Sequence, residues 1–327
     1  MKRINNIFLS GILMLVIAFL IMLSLYVFIN YKRETTQYLT INEIFDEGII
    51  KYNNKYYTMK KGIDTYLLIG ADDNGGQADI IYILVADNSK KEISLLGINR
   101  NIMTKMEAYL PTGIYIGKRE MQLCLARTST LGYVDGDIAT MEAVSNLLYG
   151  LNIDNYITIY EDGIETIGKI VGNVNIVLNE TILDGSLKSG ESISIDEKNI
   201  EKIIRARDKT KIGGAQKRLE RITEYIFAAY TKITSTKWII NTAKTASKSN
   251  NDITKAYKEL KPFIRTNVTD IQKQAIKYLK YDLKKENIYY IPHLTAIDKN
   301  GIYEECYLKE KETKEVLLQV FYKEVLY

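Results

Sequence analysis

Histidine is almost absent from this chain of 327 residues: His293, directly after Pro292, is the only one. A histidine-based zinc site or a Ser-His-Asp triad would depend entirely on that residue. The phosphate loop GxxxxGK(S/T) and the dinucleotide fingerprint GxGxxG are both missing, which removes two common ways of holding a nucleotide. Cysteine is nearly as scarce, with only Cys124 and Cys306. They make no disulfide framework; one bond in an oxidising compartment and two separate buried thiols both fit the sequence. The formal net charge of +4 is mild, and lysine is interspersed with glutamate and aspartate through the C-terminal half. A nucleic-acid surface calls for a concentrated basic stripe, so no nucleic-acid partner is expected. Internal repeats and low-complexity segments are missing as well.

Charge is also lacking from residues 7–29, IFLSGILMLVIAFLIMLSLYVFI. This run exceeds the roughly 20 apolar residues that cross a hydrocarbon layer. A secretory signal peptide has a shorter apolar core, about 7 to 15 residues, followed by a small-residue cleavage site. Here Asn30, Tyr31, Lys32, Arg33 and Glu34 follow instead. The expectation is a retained transmembrane helix at 7–29, a short cytoplasmic tail at 1–6, a stalk at 30–61 and a folded extracytoplasmic domain at 62–327. Lys2 and Arg3 on one flank face Lys32 and Arg33, partly offset by Glu34, on the other. That bias favours a single-pass protein of the cell membrane with its N-terminus inside. The lipid bilayer is then its first partner.

Beyond the span, three short apolar runs follow one another: DTYLLIG at 64–70, IIYILVA at 80–86 and EISLLGI at 92–98. The polar DNSKK between the second and third has the form of a tight antiparallel connection. Strands this apolar are covered on both faces, so helices must pack over the sheet. The segment 137–148 predicts a helix with Ile138, Met141, Val144 and Leu148 on one face and Asp137 as its cap. Further helices are expected at 162–170, 196–206, 216–230, 269–279 and 312–321, and strands at YITIY, 174–178 and 287–291. Residues 231–260 are polar and lysine-rich with helix-spaced apolar positions. The fold class is α/β: a mixed central β-sheet covered by helices, to which the last 60 or so residues contribute.

Four places bear chemistry. The loop at 70–79 brings Asp72, Asp73 and Asp79 to one end of the sheet, where crevices form in open α/β sheets. Two such carboxylates suit Mg²⁺, which takes one or two protein carboxylates plus substrate phosphates; a solvated turn loop fits the same residues equally well. Arg100 sits at a strand end, placed to bind an anion bidentately, although an isolated arginine there is more often plain surface. Arg205 and Arg207 lie about 200° apart on an unbroken helix, so they reach one ligand, such as a diphosphate, only if the helix ends between them. Lys217, Arg218 and Arg221 lie just past the Gly213-Gly214 turn; Arg218 can face the same site, and a charged helix face accounts for the other two.

Taken in order, LLIGADDNGGQADIIYILVADNSKKEISLLGINRN, GDIATMEAVSNLLYGLNIDNYITIYEDGIETIGKIVGNVNI, IIRARDKTKIGGAQKRLERI and TNVTDIQKQAIKYL resemble the LytR–CpsA–Psr family over roughly residues 62 to 327. The resemblance implies an enzyme that transfers a glycopolymer from a polyprenyl-diphosphate carrier to peptidoglycan, a Mg²⁺-dependent phosphotransferase at the outer face of the membrane. It implies Asp72 and Asp79 as metal-associated acids. Arg100 would match the arginine of the strand-end motif SIPRD, Arg205 and Arg207 the paired diphosphate-binding arginines, and Arg218 the second arginine of the following helix. Asp79 and Arg100 are the catalytic candidates. Several positions depart from the pattern. Gln77 stands for the arginine of RSD, Asn101 for the acid after the strand-end arginine, and QLCLA around Leu123 for a lysine-asparagine element. Ile212 and Ala215 stand where an acid and an arginine are usual, and Leu219 where a glutamine is usual; Arg221 is an alternative match for a missing role. Two readings therefore stay open: a working transferase, and a weakened or inactive member that binds lipid-linked polymer or envelope partners as scaffold or regulator.

Overall fold

A computed structural model describes residues 44–45, 49–72, 76–207, 212–235, 249–297 and 303–325. The expected span at 7–29 and tail at 1–6 lie outside the described residues. Among the described residues no helix is long and apolar enough to cross a membrane.

The three apolar runs form an antiparallel meander, Ile63–Ala71, Ala78–Asp87 and Glu92–Ile98. Asn155–Tyr160 adds to it in parallel on one side and Asp282–Tyr290 in parallel on the other, with Ile264–Thr266 antiparallel at the far edge. The result is a mixed six-stranded sheet. Side chains alternate across a strand, so Leu67, Ile83 and Leu96 align on one face in register, as do Ile69, Ile81 and Ile98. All six are at most 2% exposed. The helices Gly136–Leu147 and Glu310–Phe321 cover that face through Ala143, Val144, Leu147, Leu317, Val320 and Phe321. On the opposite face Tyr82 and Leu95 pack against Leu219 and Ile222 of the long helix Gly214–Thr234. Each such aliphatic side chain, fully buried, stabilises the fold by about 1.5–3 kcal/mol. Covering both faces is what runs this apolar require.

Several expectations change. The stalk was expected to reach residue 61, but Ile49–Tyr52 and Lys55–Met59 form a hairpin whose second strand pairs with Tyr322–Val325. Asn53 and Asn54 turn it with φ of 47° and 63°, the left-handed pair that a two-residue hairpin turn demands. The cap at 137 is also corrected. Asp135 accepts hydrogen bonds from the backbone of Asp137 (2.9 Å) and Ile138 (3.3 Å), whereas the Asp137 side chain is buried. The helix buries Ala139, Thr140, Ala143, Val144 and Leu147 and leaves Ile138 39% exposed. Small residues on the inner face let it lie close to the sheet.

The helix expected from 196 begins only at Ile200, because Asp196 turns the chain by accepting from the backbone of Lys198 and Asn199. The expected strand at 174–178 forms as Val174–Val177 and pairs with Ser192–Ile195, a partner the sequence reading lacks; two further hairpins, Met103–Tyr109 with Tyr115–Gln122 and His293–Ile297 with Glu304–Leu308, are absent from it altogether. Cys124 and Cys306 are both free, buried thiols, and burial pushes the Cys306 thiol up to about 12.

Candidate functional site

The meander fixes the site. Strand Ile63–Ala71 ends, and strand Ala78–Asp87 begins, at one end of the sheet, so the loop between them carries Asp72 and Asp79 to the same place. Gly76 is pressed against Asp72, where a Cβ would stand 2.4 Å from the Asp72 Cβ, so only glycine fits without moving the loop. Asp73 lies outside the described residues. From the neighbouring strand end, Arg100 pairs with one oxygen of Asp79 and donates to the Gln77 side chain. Arg218 reaches Asp79 from the opposite side, on the long helix. Its guanidinium donates to the Asp79 carboxylate at 3.0 Å and to the Asp79 carbonyl at 2.9 Å, and its side chain is only 7% exposed. Asp79 is thus held between two arginines from two different elements.

Arg218 carries its charge under strain. Burial first, then the charges of Arg100, Arg207 and Arg205, outweigh the pull of Asp72 and push it from 12.5 down to about 10. The Nε atoms of Arg100 and Arg218 are buried and make no hydrogen bond among the described residues. The helix Ile200–Arg205 ends where convergence requires it: Ala206 is extended, with φ −55° and ψ 132°. Arg205 pairs with Glu201 at 2.9 Å and Glu161 at 3.1 Å. Arg207 is exposed and makes no hydrogen bond or ion pair with the described residues. Of the remaining candidates, Lys217 is a surface residue paired with Glu220 at 3.1 Å. Arg221 is fully buried; it pairs with Glu180 and donates to the carbonyls of Ile203 (3.0 Å) and Ala206. It pins the segment bearing Arg205 and Arg207 and offers nothing to a ligand.

Beneath this polar rim lies a cavity of about 410 Å³ between the sheet and the helices Ile164–Val171, Ile200–Arg205 and Gly214–Thr234. Isoleucine is the commonest residue of its walls, among them Ile69, Ile157, Ile164, Ile200, Ile226 and Ile233, while Asp72, Asp79, Glu161, Arg205 and Arg218 stand where polar groups meet it. The volume falls in the range of roughly 300–1,000 Å³ common to ligand pockets. Apolar walls with a charged rim suit an amphiphile whose anionic head meets the arginines.

Nothing in the local sequence points to Arg127. From the helix Ala126–Ser129 it donates to Asp137 (2.8 Å), to the Gly76 carbonyl (3.0 Å) and to the Tyr160 hydroxyl (3.3 Å), over whose ring it also stacks. It anchors the carboxylate loop to the rim from a segment 51 positions away. As for a cation, Asp72 and Asp79 are the acids at the rim, and no cluster of three or more ligating side chains occurs among the described residues. The Asp72 carboxylate accepts no hydrogen bond from them. Two acids, one of them uncommitted, fit Mg²⁺ only if a bound phosphate supplies further oxygens.

The LytR_cpsA_psr family model matches residues 28–314, most of the chain. The chain belongs to the LytR–CpsA–Psr family. Solved structures share its fold at low identity. Protein gbs0355 from Streptococcus agalactiae is 17% identical, with 79% of this chain and 86% of that one covered and a TM-score of 0.62. TagV of B. subtilis is 18% identical over 80% and 97% of the two chains, with a TM-score of 0.60. TagT bound to LI-WTA is 15% identical over 80% and 90%, with a TM-score of 0.55. No curated protein sequence is significantly similar to the chain. Within the LytR–CpsA–Psr frame, Asp79, Arg100 and Arg218 meet directly, Arg205 and Asp72 share the cavity rim, and Arg207 acts on Arg218 through its charge.

Proposed function

We propose that this LytR–CpsA–Psr protein transfers a glycopolymer from a polyprenyl-diphosphate carrier to peptidoglycan, at the outer face of the membrane to which residues 7–29 anchor it. One observation carries the reading: an isoleucine-walled cavity that opens at clustered arginines and carboxylates. An isoprenoid tail matches the walls and a diphosphate matches the rim. Family membership supports a cell-wall glycopolymer transferase role, and a neighbour of the same fold, TagT, has been seen with LI-WTA.

In this reading a sugar hydroxyl of peptidoglycan attacks the phosphorus that bears the glycopolymer. A new phosphodiester bond forms, the phosphoanhydride bond breaks, and polyprenyl phosphate leaves with the bonding pair. Arg100, Arg205, Arg207 and Arg218 stabilise the charge that develops on the phosphoryl oxygens, the kind of preorganised contact that dominates phosphoryl transfer. Asp72 and Asp79 would hold Mg²⁺, which neutralises diphosphate charge when bound. In the free protein Asp79 serves as counterion to Arg100 and Arg218. Once the diphosphate competes for those guanidiniums, Asp79 is placed to take the proton of the attacking hydroxyl.

The second reading, binding without turnover, draws on the neutral Gln77 and Asn101 flanking Arg100. Both readings meet in one assay. The full chain in detergent is given a polyprenyl-diphosphate-linked saccharide, Mg²⁺ and peptidoglycan, and released polyprenyl phosphate is measured. Mg²⁺-dependent release supports the transferase; binding without release supports the receptor. An undiminished rate in the Asp79→Ala/Arg100→Ala double variant would overturn the assignment of this site.

A further inference from the structure

The long helix Gly214–Thr234 begins on Gly213, a residue with φ 86° and no side chain with which to cap its own helix. The cap comes from elsewhere. Glu304, on the hairpin His293–Ile297/Glu304–Leu308, accepts a hydrogen bond from the Gly213 backbone N–H at 2.7 Å. Its other carboxylate oxygen accepts from the Asn101 side chain at 3.3 Å. A carboxylate at a helix N-terminus is favoured by the helix dipole, and a charge-assisted hydrogen bond this short is a strong one. The hairpin is itself fastened to the same strand end: the Cys306 N–H donates to the Asn101 carbonyl at 3.0 Å, and Gln122 donates to the Glu304 carbonyl at 2.7 Å.

The two partners of Glu304 lie on the elements that present the central arginines. Asn101 follows Arg100, and Gly213 opens the helix that carries Arg218. Those elements already meet at Asp79, so Glu304 ties them at a second point. We infer that Glu304 is a positioning residue of this site, holding the strand end of Arg100 and the helix of Arg218 in register while a diphosphate displaces Asp79 from both guanidiniums. The inference rests on the diphosphate reading of the cluster. Glu304 does not itself receive the anion. Both its oxygens are engaged, it does not line the cavity, and its charge would repel a phosphate.

The test uses the full chain in detergent, with farnesyl diphosphate as probe and calorimetry well below the unfolding midpoint. Glu304→Gln keeps an acceptor for Gly213 and should bind within about threefold of wild type. Glu304→Ala removes both tethers and should bind about tenfold more weakly, the worth of one charge-assisted hydrogen bond. Loss of negative charge alone would tighten binding in both variants, so equal or tighter binding by Glu304→Ala overturns the inference. Amide hydrogen exchange supplies a readout without ligand. Glu304→Ala should speed exchange at 98–102 and at 213–218 together, and Glu304→Gln should not; unchanged exchange at either segment overturns the tether. If the wild type shows no saturable binding of the probe, the diphosphate reading fails alone, and the exchange result still decides on Glu304.

Discussion

Replacing Arg218 by methionine should make the protein more stable and less able to bind diphosphate. The guanidinium is almost fully buried, and burial first, then Arg100, Arg207 and Arg205, push it from 12.5 down to about 10. A depression of that size corresponds to about 3 kcal/mol spent on holding the charge in the folded state. The sign follows directly: a base depressed on folding is a liability at every pH below its folded value, neutral pH included. Methionine fills similar volume without charge, and Asp79 keeps Arg100 as counterion. Two hydrogen bonds to Asp79 are lost, which offsets part of the gain, so a net stabilisation of about 1 kcal/mol or more is expected. That raises the thermal midpoint by about 2–4 °C in a domain of this size. For a ligand the sign reverses, because one charged contact to a phosphate is worth about 1.5–3 kcal/mol, or roughly 10- to 100-fold in Kd. Scanning calorimetry and titration with farnesyl diphosphate measure the two effects on one preparation. A variant less stable than wild type, or one that binds the probe equally well, would refute the reasoning.

Three further outcomes follow from the geometry. Gly76→Ala forces the Asp72 side of the loop to move, and since misplacement of a catalytic group by about 1 Å costs up to about a hundredfold, transfer should fall steeply with little change in thermal midpoint; a normal rate contradicts the close packing at 2.4 Å. Ala229→Trp places a ring among the cavity walls, so affinity for farnesyl diphosphate should drop about tenfold or more while that for inorganic diphosphate holds; parallel losses would deny that the cavity takes the tail. Asp64 is desolvated, which raises its pKa, but hydrogen bonds from Tyr278, Asn88 and Lys277 outweigh this and hold it below the ordinary carboxylate range. Its contribution is therefore present above the unfolded pKa and lost as pH falls through the folded one. Asp64→Asn should lower the thermal midpoint near neutral pH, and the gap should close below about pH 4; a gap that persists in acid sinks the assignment.

The meander and its two-sided cover were legible because LLIG, IIYILVA and EISLLGI are apolar at consecutive positions, which only a sheet buried on both faces tolerates. One strand absent from the sequence reading is of a different kind. YIGKREMQ at 115–122 has no buried position, and without a buried face there is no period to read. Asp135 and Asp137 flank one glycine and compete for the same cap; the contest is settled by Arg127, which takes Asp137 into the interior, a contact invisible in local sequence. At the site, Asp79, Arg100 and Arg218, which the order of motifs singles out, are in contact. The anchoring role of Arg221 and the contacts of Arg127 and Glu304 depend on partners distant along the chain. The isoleucines of the cavity wall read as ordinary core, because a cavity between sheet and helices leaves no mark on composition.

The pairing of Lys55–Met59 with Tyr322–Val325 bears on the order of events during synthesis. Lys55 and Glu324, bonded at 2.9 Å, stand 269 positions apart, so this contact waits until almost the whole domain has been made. Long-range pairings carry the largest closure entropy and form late. The meander, by contrast, closes between neighbours and can assemble as soon as residues 63–98 are available. The nascent chain should therefore pass through a state with its central sheet begun and its outer sheet still open, exposing the edge of Lys55–Met59 until Tyr322–Val325 arrives to cover it.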